Sequence, residues 1–164
     1  MRKRVRFDPS LAAVLLLTAA TLAGCAGGGP VRRVSEPAAN LQQLAVQADG
    51  SWAVEVRIDN FSSVPMRFER VDLAMTIAGQ PPVALQASPS LQIGPESADV
   101  VTVRAMPPSG AKLAVADALS RNRAIDYHLE GTLGAAPENG SVRDYRIKRD
   151  NALSPAPGIT GVLR

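Results

Sequence analysis

Alternation of apolar and polar residues is the dominant pattern between about residue 41 and residue 149. A period of two turns one side-chain face toward a core and the other toward water, as in an antiparallel sheet. Clusters of Gly, Pro, Asn and Asp separate the alternating runs and predict turns. The clearest strands are expected at residues 52–59, 71–78 and 125–133, with weaker ones at 41–47, 83–87, 98–105 and 142–149.

These strands predict an all-β fold with one short helix. About seven short strands in roughly 110 residues are typical of an antiparallel β-sandwich of the immunoglobulin or fibronectin-III type. Trp52 lies on the apolar face of its strand and is expected in the core. Residues 111–121 are rich in helix formers, and Leu113, Ala116 and Leu119 are spaced for a single helix face.

Two segments flank the predicted domain of residues 41–149. Residues 25–40 contain three consecutive glycines and a proline followed by polar residues. This composition predicts a flexible tether with a reach of roughly 20 Å. Residues 150–164 contain two prolines and two glycines, and we expect a poorly ordered tail.

The N-terminus has the pattern of a targeting segment. Four basic residues lie within the first six, and residues 11–22 are apolar apart from two threonines. A membrane-spanning helix needs about 20 apolar residues, whereas a basic flank before a short apolar core is typical of a secretory signal. Residues 1–24 are therefore predicted to be a signal peptide.

The apolar run ends at Leu22, Ala23, Gly24 and Cys25, which resemble the lipobox of bacterial lipoproteins. In that family the signal is cleaved before the cysteine, whose sulfur receives acyl chains. Cys25 is the single cysteine of the chain, so lipidation would use a thiol that has no disulfide partner. The alternative is an ordinary signal peptide with a chance cysteine. The resemblance implies a lipid anchor, and Ala26 implies export to the outer membrane, facing the periplasm.

The charge balance changes once the signal peptide is removed. The whole chain has 18 basic and 15 acidic residues, and residues 1–24 hold four basic residues and one acidic residue. The mature chain is therefore neutral. Nucleic-acid binding loses its main electrostatic argument, and no nucleic-acid partner is expected.

The order of strands and turns resembles the LEA-2 group, also called the LEA14-like or water-stress and hypersensitive-response (WHy) domain. Residues 54–79, VEVRIDNFSSVPMRFERVDLAMTIAG, match its pair of alternating strands around a turn. A strand led by Gly-Pro follows at residues 93–105, and then a short helix. The last element has the form I-x-Y-x-L-x-G, here Ile125, Tyr127, Leu129 and Gly131.

The turn departs from the family pattern. Asn60 stands where the first residue of an Asn-Pro-Asn turn would be, whereas Phe61 and Ser62 replace the Pro and the second Asn. Asn and Ser bond locally to the backbone, so these residues can still form the turn. The resemblance implies a sandwich with no catalytic residues and no cofactor, and plant members are associated with desiccation and stress.

Residues able to carry chemistry are few. His128, the single histidine, shares a strand face with Asp126 and Glu130. A weak metal site is one interpretation, but zinc usually takes three or four ligands, mostly His and Cys, and a solvated strand face is favoured. The sequence has no nucleophile elbow and no phosphate-binding loop. We predict no catalytic residue, metal, cofactor or small-molecule substrate.

A basic cluster lies near the end of the predicted domain. It could contact anionic lipid headgroups, although an edge strand kept soluble by charge is the favoured interpretation. Its members are Arg143, Arg146, Lys148 and Arg149.

The combined features predict a membrane-anchored, non-enzymatic, LEA-2-like lipoprotein that contributes to envelope stress or desiccation tolerance. The alternative is an envelope adaptor or a lipid-handling module. In that case an open strand edge accepts a protein partner, or a groove between the sheets holds an acyl chain.

Overall fold

The computed structural model describes residues 32–164, which form nine strands and one helix. The helix, α1, spans Ser109–Ser120 and lies between the sixth and seventh strands. The strands are β1 Ala38–Val46, β2 Trp52–Asn60, β3 Met66–Ile77, β4 Val83–Ala87, β5 Leu91–Ile93, β6 Ser97–Ala105, β7 Ile125–Pro137, β8 Arg143–Leu153 and β9 Val162–Leu163.

The strands form two antiparallel sheets. One has the order β6-β2-β1-β9; the other has the order β4-β3-β7-β8, with β5 also beside β3. The predicted all-β sandwich with one short helix is confirmed. The seven longer strands correspond to the predicted ones, and the structure adds the short strands β5 and β9.

Large apolar side chains fill the space between the sheets. Trp52 is almost fully buried, which confirms its predicted place in the core. The alternation predicted for β2 and β7 matches their buried and exposed positions. The other large side chains that are fully buried include Phe68, Leu44, Ile58, Met66, Met75 and Leu129.

A β-bulge in β3 keeps both halves of that strand facing the core. Met66 and Phe68 are buried at even-numbered positions, whereas Val71 and Leu73 are buried at odd-numbered ones. The register with β7 shifts between Phe68 and Arg70. One extra residue reverses the faces of all side chains that follow it. The bulge therefore turns the second half of β3 inward.

β3 and β7 approach closely at Gly131. The φ of Gly131 is +140°, and a Cβ there would lie 2.2 Å from the backbone oxygen of Asp72. Glycine has no Cβ and adopts positive φ without strain. The structure thus gives a physical reason for the glycine that ends the I-x-Y-x-L-x-G run.

The two ends of the sandwich differ in construction. We call one the turn end, where β2 stops at Asn60 and Met66 of β3 pairs with Pro137 of β7. We call the other the helix end, where Trp52 pairs with Ala105 and α1 closes the core.

α1 buries a different face from the predicted one. Ala111, Val115 and Ala118 are buried, whereas Leu113 is 72% exposed. α1 follows β6 and precedes β7 directly, and the face that it turns to the core carries smaller side chains than the predicted one. The assignment of Leu113 to the buried face was wrong.

The C-terminal segment is also part of the fold, contrary to the predicted poor order of residues 150–164. β8 continues to Leu153, and β9 pairs Leu163 with Leu44 of β1. Ser154 and Arg164 exchange backbone hydrogen bonds of 2.6 and 2.7 Å. Burial of the apolar residues in this segment outweighs its proline- and glycine-rich composition.

The N-terminal boundary of the domain is earlier than predicted. Residues 38–40, which were assigned to the tether, belong to β1, and Ala39 is buried. The part of the predicted tether before residue 32 lies outside the described residues.

Candidate functional site at the turn end

Asn60 is the centre of a hydrogen-bond network at the turn end. Its side chain is buried, with the residue 1% exposed. The Nδ2 group donates to the backbone oxygens of Val64, Ile93 and Gly94 at 3.0, 3.2 and 2.8 Å. The Oδ1 atom accepts the backbone N–H of Ser62 at 2.9 Å. The side chain therefore closes the β2–β3 loop and joins it to the end of β5 and the residue that follows it.

Ser62 and Ser63 attach the N-terminal segment to this loop. The buried Ser62 hydroxyl accepts the backbone N–H of Ser35 at 3.0 Å and donates to the Ser35 oxygen at 3.3 Å. The backbone N–H of Arg33 donates to Ser63 Oγ at 2.8 Å. Ser63 N–H donates to the Arg33 oxygen at 3.0 Å. The chain is thus fixed to the turn from Arg33 onward.

The turn forms although its sequence departs from the family pattern. Asn60 does not adopt positive φ; its side chain instead makes the local bond to the Ser62 backbone, as an Asx turn does. Of the expected turn residues, Asn60 and Ser62 are buried and bonded. The sequence did not indicate Arg33, Ser35 and Ser63, because their bonds join positions about 30 residues apart.

Phe61 projects from the turn with 52% of its surface exposed. Its carbonyl oxygen accepts a hydrogen bond from Arg33 Nη2 at 3.2 Å, and the same nitrogen lies 3.3 Å from Glu96 Oε1. Both charged side chains are more than half exposed, so this ion pair adds little stability. Phe61 also lines an open depression of about 420 Å³, together with Arg57 and Asp59.

The four residues of the predicted basic cluster do not converge on one surface. They lie on β8, the edge strand of its sheet, and successive side chains of a strand point to opposite faces. Arg146 and Lys148, at even-numbered positions, share one face of the strand, whereas Arg143 and Arg149, at odd-numbered positions, lie on the other.

Acidic residues also alternate with the two cations that share a face. Asp144 and Asp150 flank Arg146 and Lys148 along the strand, and Asp144 pairs with Arg70. Lys148 is opposite Glu130 on β7. This face carries mixed charge and is not a basic patch.

His128 lies on the same outer sheet face and is held by two carboxylates. Its Nδ1 is 2.6 Å from Asp150 Oδ1, and its Nε2 is 3.4 Å from Glu130 Oε2. The hydrogen bond to Asp150 is the main cause that raises the pKa of His128 above its ordinary value of 6.5. Asp126, which the sequence placed in the same row, makes no bond to the imidazole among the described contacts. Within residues 32–164, no group of three or more acidic, His or Cys side chains could hold a metal ion.

Asp49 is a second titratable group with a shifted pKa, and it lies at the helix end. Its Oδ1 accepts the hydroxyl of Ser51 at 2.6 Å and the Ser51 backbone N–H at 3.0 Å. These bonds, with a smaller contribution from Arg104, lower the pKa of Asp49 to about 2. Ionised Asp49 therefore closes the β1–β2 turn.

The predicted lipidation site lies outside the described residues. Leu22, Ala23, Gly24 and Cys25 all precede residue 32, as does the signal peptide. Across the part of the chain that the structure describes, no helix has the length and apolar character needed to cross a bilayer.

Comparison with known proteins gives structural likenesses only. No protein-family description matches the chain, and no curated protein sequence matches it. A candidate late embryogenesis abundant (LEA) protein solved in solution aligns over 91% of this chain and 86% of its own, with 14% identity and a TM-score of 0.46. A protein from Arabidopsis thaliana aligns over 79% of this chain and 84% of its own, with 13% identity and a TM-score of 0.42.

A bacterial structure gives a likeness of the same strength. A candidate ApaA protein from Bordetella pertussis aligns over 79% of this chain and 100% of its own, with 15% identity and a TM-score of 0.47. At TM-scores below 0.5 these likenesses add nothing to the fold assignment, which rests on the strand pairing.

Proposed function

We propose that this chain is a membrane-anchored, non-enzymatic lipoprotein whose LEA-2-like sandwich contributes to envelope stress or desiccation tolerance. The observation that carries the proposal is the Asn60 turn. A buried asparagine that binds three backbone oxygens stands where the family pattern places its first turn residue. This asparagine lies at the end of β2, where the chain turns toward β3, and both are alternating strands of an antiparallel sandwich.

The anchor is supported by the sequence before the domain. Cys25 follows Leu22, Ala23 and Gly24 at the end of a signal-like apolar run. Acyl chains on Cys25 would hold the chain to a membrane, and Ala26 favours the outer membrane, facing the periplasm. A single acyl chain binds only marginally, whereas two or more give stable anchoring.

The non-enzymatic assignment is supported by the environment of His128. A general base needs an imidazole nitrogen that is free to accept a proton. Both nitrogens of His128 face carboxylates, and the pKa of the ring is raised. Thr76 is opposite His128 in the strand register, but the closest polar partner of Nε2 is Glu130. This arrangement favours a structural imidazole held between two carboxylates.

The anchor is tested by the mass of the N-terminal peptide of the protein purified from bacterial membranes. We expect a peptide that begins at Cys25 and carries acyl chains. The variant Cys25→Ser should remain as an uncleaved precursor. A mature protein that begins elsewhere, or that carries no acyl chain, would contradict the anchor.

The protective role is tested by drying a labile enzyme with residues 32–164, which form one compact unit. An equal mass of an unrelated β-sandwich serves as the control. Recovery of enzyme activity clearly above that control is expected after rehydration. Equal recovery would exclude direct shielding of proteins.

A second candidate function, an envelope adaptor, is favoured by the position of β6 at the end of its sheet. Among residues 32–164 this nine-residue strand is hydrogen-bonded to β2 alone, and such an edge can accept a partner strand. The adaptor predicts one saturable partner, and native cross-linking that captures none would contradict it. Storage of an acyl chain between the sheets is disfavoured, because side chains such as Trp52 and Phe68 occupy that space.

A further inference from the structure

The exposed side chain of Phe61 has no packing role that explains it. Its backbone oxygen is used by Arg33, and the flanking Asn60 and Ser62 are buried, but the ring itself projects outward. Val34, in the segment bonded to the turn, and Val142, in the β7–β8 loop, are 47% and 42% exposed. The turn end therefore presents an aromatic ring and two aliphatic side chains to its surroundings.

The length of chain before the domain limits how this end can be oriented. Arg33, the first residue fixed to the turn, follows Cys25 by eight positions. Eight residues span at most about 28 Å when fully extended. β3, with 12 residues, indicates a sandwich about 40 Å long. If Cys25 is at the bilayer surface, the helix end cannot face the membrane while the turn end points away from it.

We propose that the turn end rests on the bilayer that holds Cys25, with Phe61 inserted among the lipid headgroups. The proposal rests on the lipid anchor proposed above. Apolar side chains beside polar ones bind at the boundary between headgroups and acyl chains. The acyl anchor already holds the domain at the surface, so insertion of one ring adds orientation without having to supply the affinity.

The charges around Phe61 indicate which headgroups suit this surface. Arg33 and Arg57 are accompanied by Glu96 and Asp59 in the same depression. These charges form two ion pairs, Arg33 with Glu96 and Arg57 with Asp59, so the surface has no excess positive charge and does not require anionic lipid. Phosphatidylcholine vesicles are therefore a sufficient partner for the test.

The test uses the full acylated protein with a tryptophan at one of two positions. Phe61→Trp places the probe at the turn end, and Leu113→Trp places it at a more exposed site on α1, where 72% of the residue is accessible against 52% for Phe61. The native Trp52 is buried in the core and gives the same background in both variants. Each protein is reconstituted into phosphatidylcholine vesicles whose acyl chains are either plain or brominated. Circular dichroism checks that both variants are folded, and the peptide mass checks acylation of Cys25.

Bromine quenches tryptophan only at close range. We expect the added fluorescence of Phe61→Trp to shift to shorter wavelength and to lose a clear fraction of its intensity in vesicles that are brominated near the headgroup end of the acyl chains. The fluorescence of Leu113→Trp should change little. Equal quenching at the two positions in acylated protein would overturn the orientation and leave the anchor intact. A blue shift at position 61 that depends on protein concentration and not on bromine would indicate a second copy and would also overturn it. Absence of acyl chains on Cys25 would remove both proposals together.

Discussion

The two ends of the sandwich are closed by different kinds of interaction. At the turn end, Asn60 and Ser62 bind backbone groups through neutral side chains that are buried. At the helix end, apolar residues of α1 cover the core, and nearby turns and strands use titratable groups such as Asp49 and His128.

This difference separates the effects of burial from the effects of charge. A buried neutral network is insensitive to pH between about 3 and 9, because Asn and Ser do not ionise in this range. Partly exposed carboxylate and imidazole contacts respond to pH and salt. The turn end should therefore keep its contribution to stability under conditions that weaken the polar contacts of the helix end.

The largest expected effect comes from breaking the network at the turn end. Asn60→Ala leaves three buried or half-buried backbone oxygens without the Nδ2 donor, and we expect a loss of about 3 kcal/mol in the free energy of unfolding. Chemical denaturation at fixed pH measures the change. Phe61→Ala is the matched control, for which about 0.5 kcal/mol or less is expected because its side chain is exposed. Similar losses for the two variants would contradict the assigned role of Asn60.

At the helix end, the comparison between the two ends is sharpened by truncating a side chain on the buried face of α1. Val115→Ala removes two methyl groups from a buried position and should cost about 2 kcal/mol. Leu113→Ala removes more atoms from an exposed position and should cost about 0.5 kcal/mol or less. Thermal and chemical unfolding of the two variants compare these values. A larger cost for Leu113→Ala would mean that α1 packs with the face predicted from the sequence.

The contribution of Asp49 should depend on pH. Its folded pKa of about 2 is below its ordinary value of 3.8, so the stabilisation is fully present above about pH 4 and is lost as the pH falls through about 2. Asp49→Asn should reduce stability at neutral pH by a modest amount that decreases over this acid range. The measurement is the unfolding midpoint of both proteins from pH 7 to pH 2. A difference that stays constant with pH would show that ionisation of Asp49 is unimportant.

The smallest expected effect concerns His128 and has the opposite pH direction. The pKa of His128 is raised in the folded state. Its contribution to the free energy of unfolding is therefore complete below about pH 6.5 and is lost as the pH rises through the folded pKa. Asp150→Asn removes the carboxylate whose hydrogen bond is the main cause of the raised pKa. The pKa of His128, measured by NMR titration of the imidazole, should fall toward 6.5. Asp126→Asn, on the same face without a bond to the ring, should have a smaller effect. If the two variants shift the pKa equally, the Asp150 hydrogen bond is not the main cause.

Local patterns predicted most of the sandwich. The runs that begin at Trp52, Val71 and Ile125 each alternate over at least seven residues, and each is a strand in the structure. The pattern at the start of β3 was harder to interpret, because the bulge after Phe68 changes the parity of its buried positions. An apolar series that changes from even to odd positions is the sequence signal that could have revealed it.

Features that depend on distant parts of the chain were not predictable in the same way. The two-residue strand β9 exists because Leu163 meets Leu44, far away in sequence. Leu113 is more apolar than Ala111 or Ala118, but the fold buries the two alanines and leaves Leu113 exposed. At the candidate site, the turn could be predicted from Asn60 and Ser62, whereas the attachment of Arg33 and Ser35 depends on the fold.

The Asn60 network also bears on behaviour when water is scarce. The Asn60 side chain is hydrogen-bonded to four backbone groups, and no buried side-chain nitrogen or oxygen within residues 32–164 is left without a partner. Internal polar groups that depended on bridging water would lose their partners in a dried film. The domain satisfies these buried side chains internally, so they should keep the same hydrogen bonds in a glass as in solution. Removal of solvent would then act mainly on the exposed charges of the sheet faces.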